Sequence, residues 1–306
     1  MSSLYFNEDH EGIREMAKDF AEKTLAPIAG EIDKTEAFPM DVVKTMADMG
    51  FLGLKIPEEY GGLGLDMRSY VCVMEEIAKK CATATIFISS ANSLSTAPIV
   101  ISGTPEQKEK YLPGVAAGES LIAFGLTEPN AGTDAAMQRT TAEDKGDHWL
   151  LNGSKVFITN GEVADVYVVF AMTDKAAGNK GISAFLLEKG MEGFSFGSHE
   201  KKMGIRASST CELVFEDVKV PKENLLGELN KGFQIAMMTL DGGRIGIAAQ
   251  ALGIAQGAID ETVKYVKDRV QFGRPISKFQ NTQFMLAEMQ TRVDAARMLV
   301  YRAAAI

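Results

Sequence analysis

The chain has 306 residues, 46% of them hydrophobic and 24% charged, which is the composition of a soluble globular protein with one large domain or two to three smaller ones. A formal net charge of −9 excludes a broad phosphate-neutralising surface, and with it nucleic acid as a partner. No basic segment followed by an apolar core opens the chain, and no uninterrupted apolar run is read as long enough to cross a bilayer, so no membrane insertion is expected.

Apolar residues at helical spacing (Ile13, Met16, Phe20, Leu25, Ile28) predict a first helix over residues 8–29, with Pro27 near its end. A second helix, 40–49, stops at Gly50; a third covers 69–80 and a fourth 84–101. Between them, Pro57-Glu-Glu-Tyr-Gly-Gly-Leu-Gly64 is a glycine-rich loop without the spacing of a dinucleotide or Walker motif. Thr104 caps a short helix that opens with Pro105. From residue 119 to 228 the pattern changes to short β-rich runs at 121–124, 140–142, 148–151, 155–158, 166–172, 182–187 and 211–215. Turn signals separate them, including Asn152-Gly153 and Asn160-Gly161, and the whole reads as an antiparallel barrel or sandwich. Helix returns over 232–267, where glycines 242, 243, 246, 253 and 257 thin one face and let another helix approach. A last helix runs from 281 to 306 and ends mid-pattern without a cap. Its unfinished apolar face needs a covering element, so the chain reads as part of a longer protein. The expected fold class is multi-domain α+β: an N-terminal helical domain (1–118), a middle β domain (119–228) and an incomplete C-terminal helical domain (229–306).

Cys72, Cys81 and Cys211 are dispersed, odd in number and without metal spacing, and read as free thiols of a cytoplasmic protein. His10, His148 and His199 are equally scattered, which speaks against a zinc site or a histidine-based triad. The segment that stands out is the strand ending at Phe124, which opens into Glu128-Pro-Asn-Ala-Gly132. Such a turn gathers backbone N–H groups and the hydroxyls of Thr127 and Thr133, and suits a planar polar group such as a flavin edge or a pyrophosphate. An ordinary hairpin corner has the same local sequence.

Five segments in order resemble the acyl-CoA dehydrogenase family. They are the 57–64 loop; Leu126-Thr-Glu-Pro-Asn-Ala-Gly-Thr-Asp134; Leu151-Asn-Gly-Ser-Lys-Val-Phe-Ile-Thr-Asn-Gly161; Phe215-Glu-Asp-Val-Lys-Val-Pro221; and Asp268-Arg-Val-Gln-Phe-Gly-Arg-Pro-Ile276. The resemblance spans essentially the whole chain, and residues 156–165 are most similar to bacterial short-chain (butyryl-CoA) members. It implies FAD as cofactor. Phe124, Leu126 and Thr127 would contact the flavin, Thr133 would be shared between pyrophosphate and substrate, and Phe157 and Thr159 would flank the ring. Without the family, Phe157 is equally suited to core packing. Arg269, Gln271, Phe272 and Gln280 resemble residues that reach across a subunit interface to the adenine half of FAD, which implies a homotetramer. On the residues alone, Asp268-Arg269 is a solvated helix end. Asp241 and Arg244 match a substrate-holding turn, and by spacing alone they form an intrahelical ion pair worth roughly 0.3 kcal/mol.

The implied activity is that of an oxidoreductase: α,β-dehydrogenation of a short-chain acyl-CoA to the trans-2-enoyl-CoA, with electrons passed to an electron-transferring flavoprotein. In most family members the base is a glutamate that would lie beyond Ile306; in a minority it occupies the position of Gly243, which cannot take a proton. No catalytic residue is therefore assigned. Glu128 matches a structural residue of the motif, and Glu75 and Glu76 are expected on a solvated helix surface. Three other readings stay open: a branched or aromatic acyl substrate, the reductase direction, and a catalytically inactive binding or assembly subunit.

Overall fold

The computed structural model describes residues 4–306 and separates into two compact units. The first gathers the chain up to Glu31, Asp66–Thr85 and Arg244–Ile306; the second gathers Ile32–Leu65 and Ile86–Gly243. In chain order the helices are α1 (Glu8–Phe20), α2 (Ala29–Thr35), α3 (Met40–Asp48), α4 (Met67–Ala78), α5 (Ala82–Ser89), α6 (Ala97–Ser102), α7 (Pro105–Ala116), α8 (Gly232–Asp268) and α9 (Gln280–Ala305). The strands are β1 (Ile122–Gly125), β2 (Thr141–Asp144), β3 (His148–Thr159), β4 (Val166–Met172), β5 (Ile182–Glu188), β6 (Phe194–His199), β7 (Thr210–Pro221), β8 (Leu225–Leu226), β9 (Val270–Gln271) and β10 (Arg274–Pro275).

Two predicted helices are interrupted. The first ends at Phe20 and passes through a π-helical turn, Ala21–Leu25, before α2. Pro27 has no N–H to continue the ladder, which accounts for the break. The fourth is divided into α5 and α6 by a second π turn, Ser90–Leu94. Here side chains take over backbone partners: Thr96 Oγ1 donates to the Ala91 carbonyl at 2.5 Å, and the Ser90 and Ser95 hydroxyls bond each other at 2.9 Å. The stretch Ala82–Ser102 meets the length and mean hydropathy (1.4) of a membrane span, although serines, threonines and Asn92 interrupt its apolar run. It is 72% buried inside the protein, and its buried serines, threonines and Asn92 mark it as core.

In the first unit the glycines of α8 do what their spacing predicts, and α4 is the helix that approaches. A β-carbon at Gly253 would lie 2.3 Å from the Glu75 carbonyl oxygen, and one at Gly257 2.3 Å from that of Lys79. Glu75 and Glu76 are buried rather than solvated, which corrects the sequence reading. The reason is tertiary. Arg297 Nε and the Tyr301 hydroxyl donate to the two Glu75 oxygens at 2.9 and 2.6 Å, and Lys79 holds Glu76 at 2.7 Å. These groups, with Arg14, line a polar cavity of about 560 Å³ that none of the expected flavin or substrate residues touches.

The second unit is built on an eight-stranded sheet in the order β6-β7-β3-β2-β4-β5-β8, with β1 alongside β4. Most pairs are antiparallel, as expected; β1 runs parallel to β4, and β2 meets β4 in parallel at Thr141 and Met172. β4 is buried along its whole length, so it reads as a continuous apolar run rather than an alternation. Asn152-Gly153 is not a turn. β3 runs straight through it with a bulge between Leu151 and Gly153, and a β-carbon at Gly153 (φ +142°) would meet Thr140 Oγ1 at 2.6 Å. Asn160-Gly161 does end the strand, with Asn160 at φ +61°. β6 went unpredicted; its Phe194 ring stacks on Phe215 at 5.2 Å.

Two stability outcomes follow. Gly253→Ala should destabilise by about 1–3 kcal/mol in urea titrations, because α4 backbone occupies the space. Asp66 caps α4 by accepting the Ser69 N–H at 2.9 Å and also pairs with Arg68 and His10. Burial opposes its ionisation, but these hydrogen bonds outweigh it and bring the carboxyl from 3.8 down to about 2. A carboxyl lowered by folding stabilises fully above its unfolded value and loses that contribution as pH falls through the folded one. Urea midpoints recorded from pH 5 to pH 2 should therefore fall more steeply for the natural protein than for Asp66→Asn, which keeps the cap acceptor.

Candidate functional site

β1 brings Phe124 to the sheet beside β4, half-buried, with its ring centroid 5.0 Å from that of Phe170 in an edge-to-face contact. The strand ends at Gly125 and the chain turns through Leu126, Thr127 and Glu128. Glu128 and Ala131 exchange backbone hydrogen bonds of 3.1 and 3.0 Å, which closes the turn; Thr133 follows on its exposed side. The Thr127 carbonyl accepts the Val156 N–H at 2.9 Å, so the turn is stitched directly to β3. At that point β3 is irregular. Its pairing with β7 slips between Lys155 and Ile158, and Phe157 lies in the bulge with φ +60°.

Phe157 is the most telling residue of the cluster. A left-handed conformation in a non-glycine residue costs on the order of 1–3 kcal/mol and persists only where the surroundings impose it. Its ring is nevertheless 63% exposed, so core packing does not explain it. Thr159, half-buried, sits two residues on and pairs with Thr210. Phe124, Leu126, Thr127, Phe157 and Thr159 thus stand on neighbouring segments joined by the Val156–Thr127 hydrogen bond, with Phe157 exposed and Leu126 buried.

Beneath them lies Lys155, to which the sequence reading gave no role. It is wholly buried, and its ammonium donates to the Leu126 carbonyl (3.1 Å), Glu128 Oε1 (2.7 Å) and Gln138 Oε1 (3.1 Å). Glu128 also accepts the backbone N–H groups of Arg139 (2.5 Å) and Thr140 (3.0 Å). Burial pulls the Lys155 ammonium down to about 8 against the opposing pull of Glu128. Burial works against ionisation of Glu128 too, but Lys155 and the hydrogen bonds prevail and hold its carboxyl below its ordinary value. A buried lysine among Leu151 and Ile158 on one strand, and an acid in a Pro/Gly turn, were the available signals.

Arg269, Gln271, Phe272 and Gln280 belong to the first unit. Asp268 ends α8 and, like Arg269, is exposed, as the residues alone suggest; the chain then forms a β9–β10 hairpin, with Gln271 paired to Arg274 and the Arg269 carbonyl accepting the Ile276 N–H at 2.8 Å. Phe272 and Gly273 both have positive φ, 52° and 74°, the pattern of a type I′ turn. Phe272 at the tip is 93% exposed, and Gln280 opens α9, also exposed. Asp241 and Arg244 are exposed on α8. Gly243 between them is buried against Leu94 and Ser93; a β-carbon there would come within 3.1 Å of Leu94 Cδ2. Glu128 and Glu75 are both engaged by cations, which removes them as candidate bases.

Family models match in three consecutive stretches: the acyl-CoA dehydrogenase N-terminal domain over residues 7–119, the middle domain over 123–218 and the C-terminal domain over 230–306. The short-chain specific acyl-CoA dehydrogenase of Clostridium acetobutylicum is 56% identical over 97% of this chain and 78% of its own length. The caffeyl-CoA reductase-Etf complex subunit CarC of Acetobacterium woodii is 50% identical over 99% of this chain and 80% of its own. The solved structure of butyryl-CoA dehydrogenase from Megasphaera elsdenii superposes with a TM-score of 0.94 at 52% identity, covering 98% of this chain and 79% of that one. The chain belongs to the acyl-CoA dehydrogenase family.

Phe157→Gly separates function from fold. Relief of the strained φ should leave thermal stability unchanged or raise it by about 0.5–1 kcal/mol, while FAD binding, followed by flavin fluorescence, weakens.

Proposed function

We propose that this protein is an FAD-dependent oxidoreductase that introduces a trans-2 double bond into a short-chain, butyryl-CoA-like thioester and passes the electrons to an electron-transferring flavoprotein. The observation that carries the reading is the exposed, strained Phe157 ring stitched to the Thr127 turn. The family membership gives that geometry its chemistry. FAD, when bound, accepts the hydride that leaves the β-carbon. The residues of the chain orient and shield: Phe157 covers one edge of the ring site and excludes water, while Phe124, Leu126, Thr127 and Thr159 line its flank. Thr133, on the exposed arm of the turn, serves both the pyrophosphate and the substrate. Asp241 and Arg244 hold the thioester from α8.

α-Proton removal needs a desolvated carboxylate and a polarised thioester carbonyl. Gly243 carries no side chain, so that position of α8 does not supply the carboxylate. Arg269, Gln271, Phe272 and Gln280 complete the adenine end from a neighbouring subunit, which makes the working form a homotetramer of the cytoplasm. The three consecutive domains 1–118, 119–228 and 229–306 describe the chain's division of labour. A second reading, reduction of an aryl-substituted enoyl-CoA, is favoured by the 50% identity to a caffeyl-CoA reductase subunit.

An anaerobic visible spectrum of the purified protein, before and after butyryl-CoA, tests the proposal. A yellow protein that bleaches is the expected result. A dithionite-reduced protein that regains its colour faster with an aryl-enoyl-CoA than with crotonyl-CoA would favour the second reading. A colourless protein that takes up no added FAD would overturn both.

A further inference from the structure

Three charged or polar side chains, Lys155, Glu128 and Gln138, meet at one wholly buried point of the second unit. The ammonium of Lys155 has three N–H donors and three acceptors within 3.1 Å, so it is fully satisfied. Two of those acceptors, the Leu126 carbonyl and the Glu128 carboxylate, lie at the start of the turn. The third, Gln138, lies where the chain returns to the sheet, and Glu128 grips that return again through the N–H groups of Arg139 and Thr140. Everything between, including Thr133, is a loop closed at its base by this cluster. On the other side Lys155 is the last residue in register before the bulge that presents Phe157.

Burying an ion pair is a poor route to stability, since well-packed apolar residues of similar volume hold a fold as well or better. What the pair supplies is direction. An apolar substitute fills the volume but fixes neither the Leu126 carbonyl nor the carboxylate, so the peptide planes of the turn are free to rotate. We propose that Lys155 is a positioning residue of the flavin site: through Leu126, Glu128 and Gln138 it sets the orientation of the turn and of the Phe157 bulge without touching the cofactor. The assignment rests on the flavin reading proposed above.

The test compares FAD binding to the natural protein, to the double variant Lys155→Met with Glu128→Gln, and to Gly253→Ala as a control that is destabilised in the other unit. Glu128→Gln keeps an oxygen for the Arg139 and Thr140 N–H groups, so the double variant is designed to retain its fold, checked by circular dichroism and melting. Its bound flavin should show a shifted, less structured visible band and an FAD dissociation constant raised by about tenfold or more. The control should show neither change at comparable loss of stability. Where the double variant does not fold, Gln138→Met removes one acceptor and leaves the pair intact, and a smaller change in the same direction is expected. A natural-like spectrum and affinity in the folded variant would overturn the assignment and leave the flavin reading standing. Failure of the natural protein to bind FAD would remove both.

Discussion

The buried contact between Lys155 and Glu128 is the constraint on which the second unit's functional surface depends. It joins two segments separated in sequence, the turn after β1 and the middle of β3, at 2.7 Å between two buried side chains. Removing one partner strands the other charge in that interior, a loss on the order of 3–5 kcal/mol in comparable cases. The hydrogen bonds that follow, from the Val156 N–H to the Thr127 carbonyl and from the Arg139 and Thr140 N–H groups to the Glu128 carboxylate, are short local consequences of that junction. Thr127, Thr133 and Phe157 owe their relative positions to it.

The bulge at Phe157 shows the same logic from the opposite side. β3 pairs regularly with β7 at both ends of the irregularity, Lys155 with Leu213 and Ile158 with Cys211. The extra residue therefore has nowhere to go but outward, and its φ is forced positive. The strand exposes the Phe157 ring while Lys155 and Ile158 on either side of the bulge are buried, so the ring is no part of the core. In the first unit the constraint is different. The glycines of α8 let α4 approach until backbone meets backbone, and from α9 Arg297 pairs with the buried Glu75 while the Tyr301 hydroxyl donates a hydrogen bond to it. That unit is organised by close helix packing around buried charge, and its exposed hairpin tip at Phe272 is the feature its packing leaves over.

Much of the secondary structure was legible because it is local. The N-cap and proline at Thr104-Pro105, the stop at Gly50 and the β-rich runs of 166–172 and 182–187 appear where their patterns place them. Errors arose where tertiary contacts overrule local preference. Asn152-Gly153 has the sequence of a hairpin turn, yet Asn152 exchanges two 2.9 Å hydrogen bonds with Asp217 on β7 and the strand continues. Glu75 and Glu76 have the sequence of a solvated helix face, and Lys79 pairs with Glu76 locally, yet the cations that meet Glu75, Arg14 and Arg297, lie some sixty and two hundred residues away, beyond the reach of any pattern.

The sequence by itself determined the order of helices and strands, the glycine face of α8 and the five motifs by which the family is legible, because each depends on neighbours within a few residues. It also named Phe157 without deciding between a core side chain and a ligand-facing one. The tertiary structure shows that the ring is exposed and not part of the core, since exposure and a positive φ arise only when β3 is held at both ends by β7. It alone revealed Lys155 as the anchor of the turn. A buried ion pair between residues 27 apart is invisible until folding gathers both charges, with the Leu126 carbonyl, Gln138 and the Arg139 and Thr140 N–H groups, into one cluster.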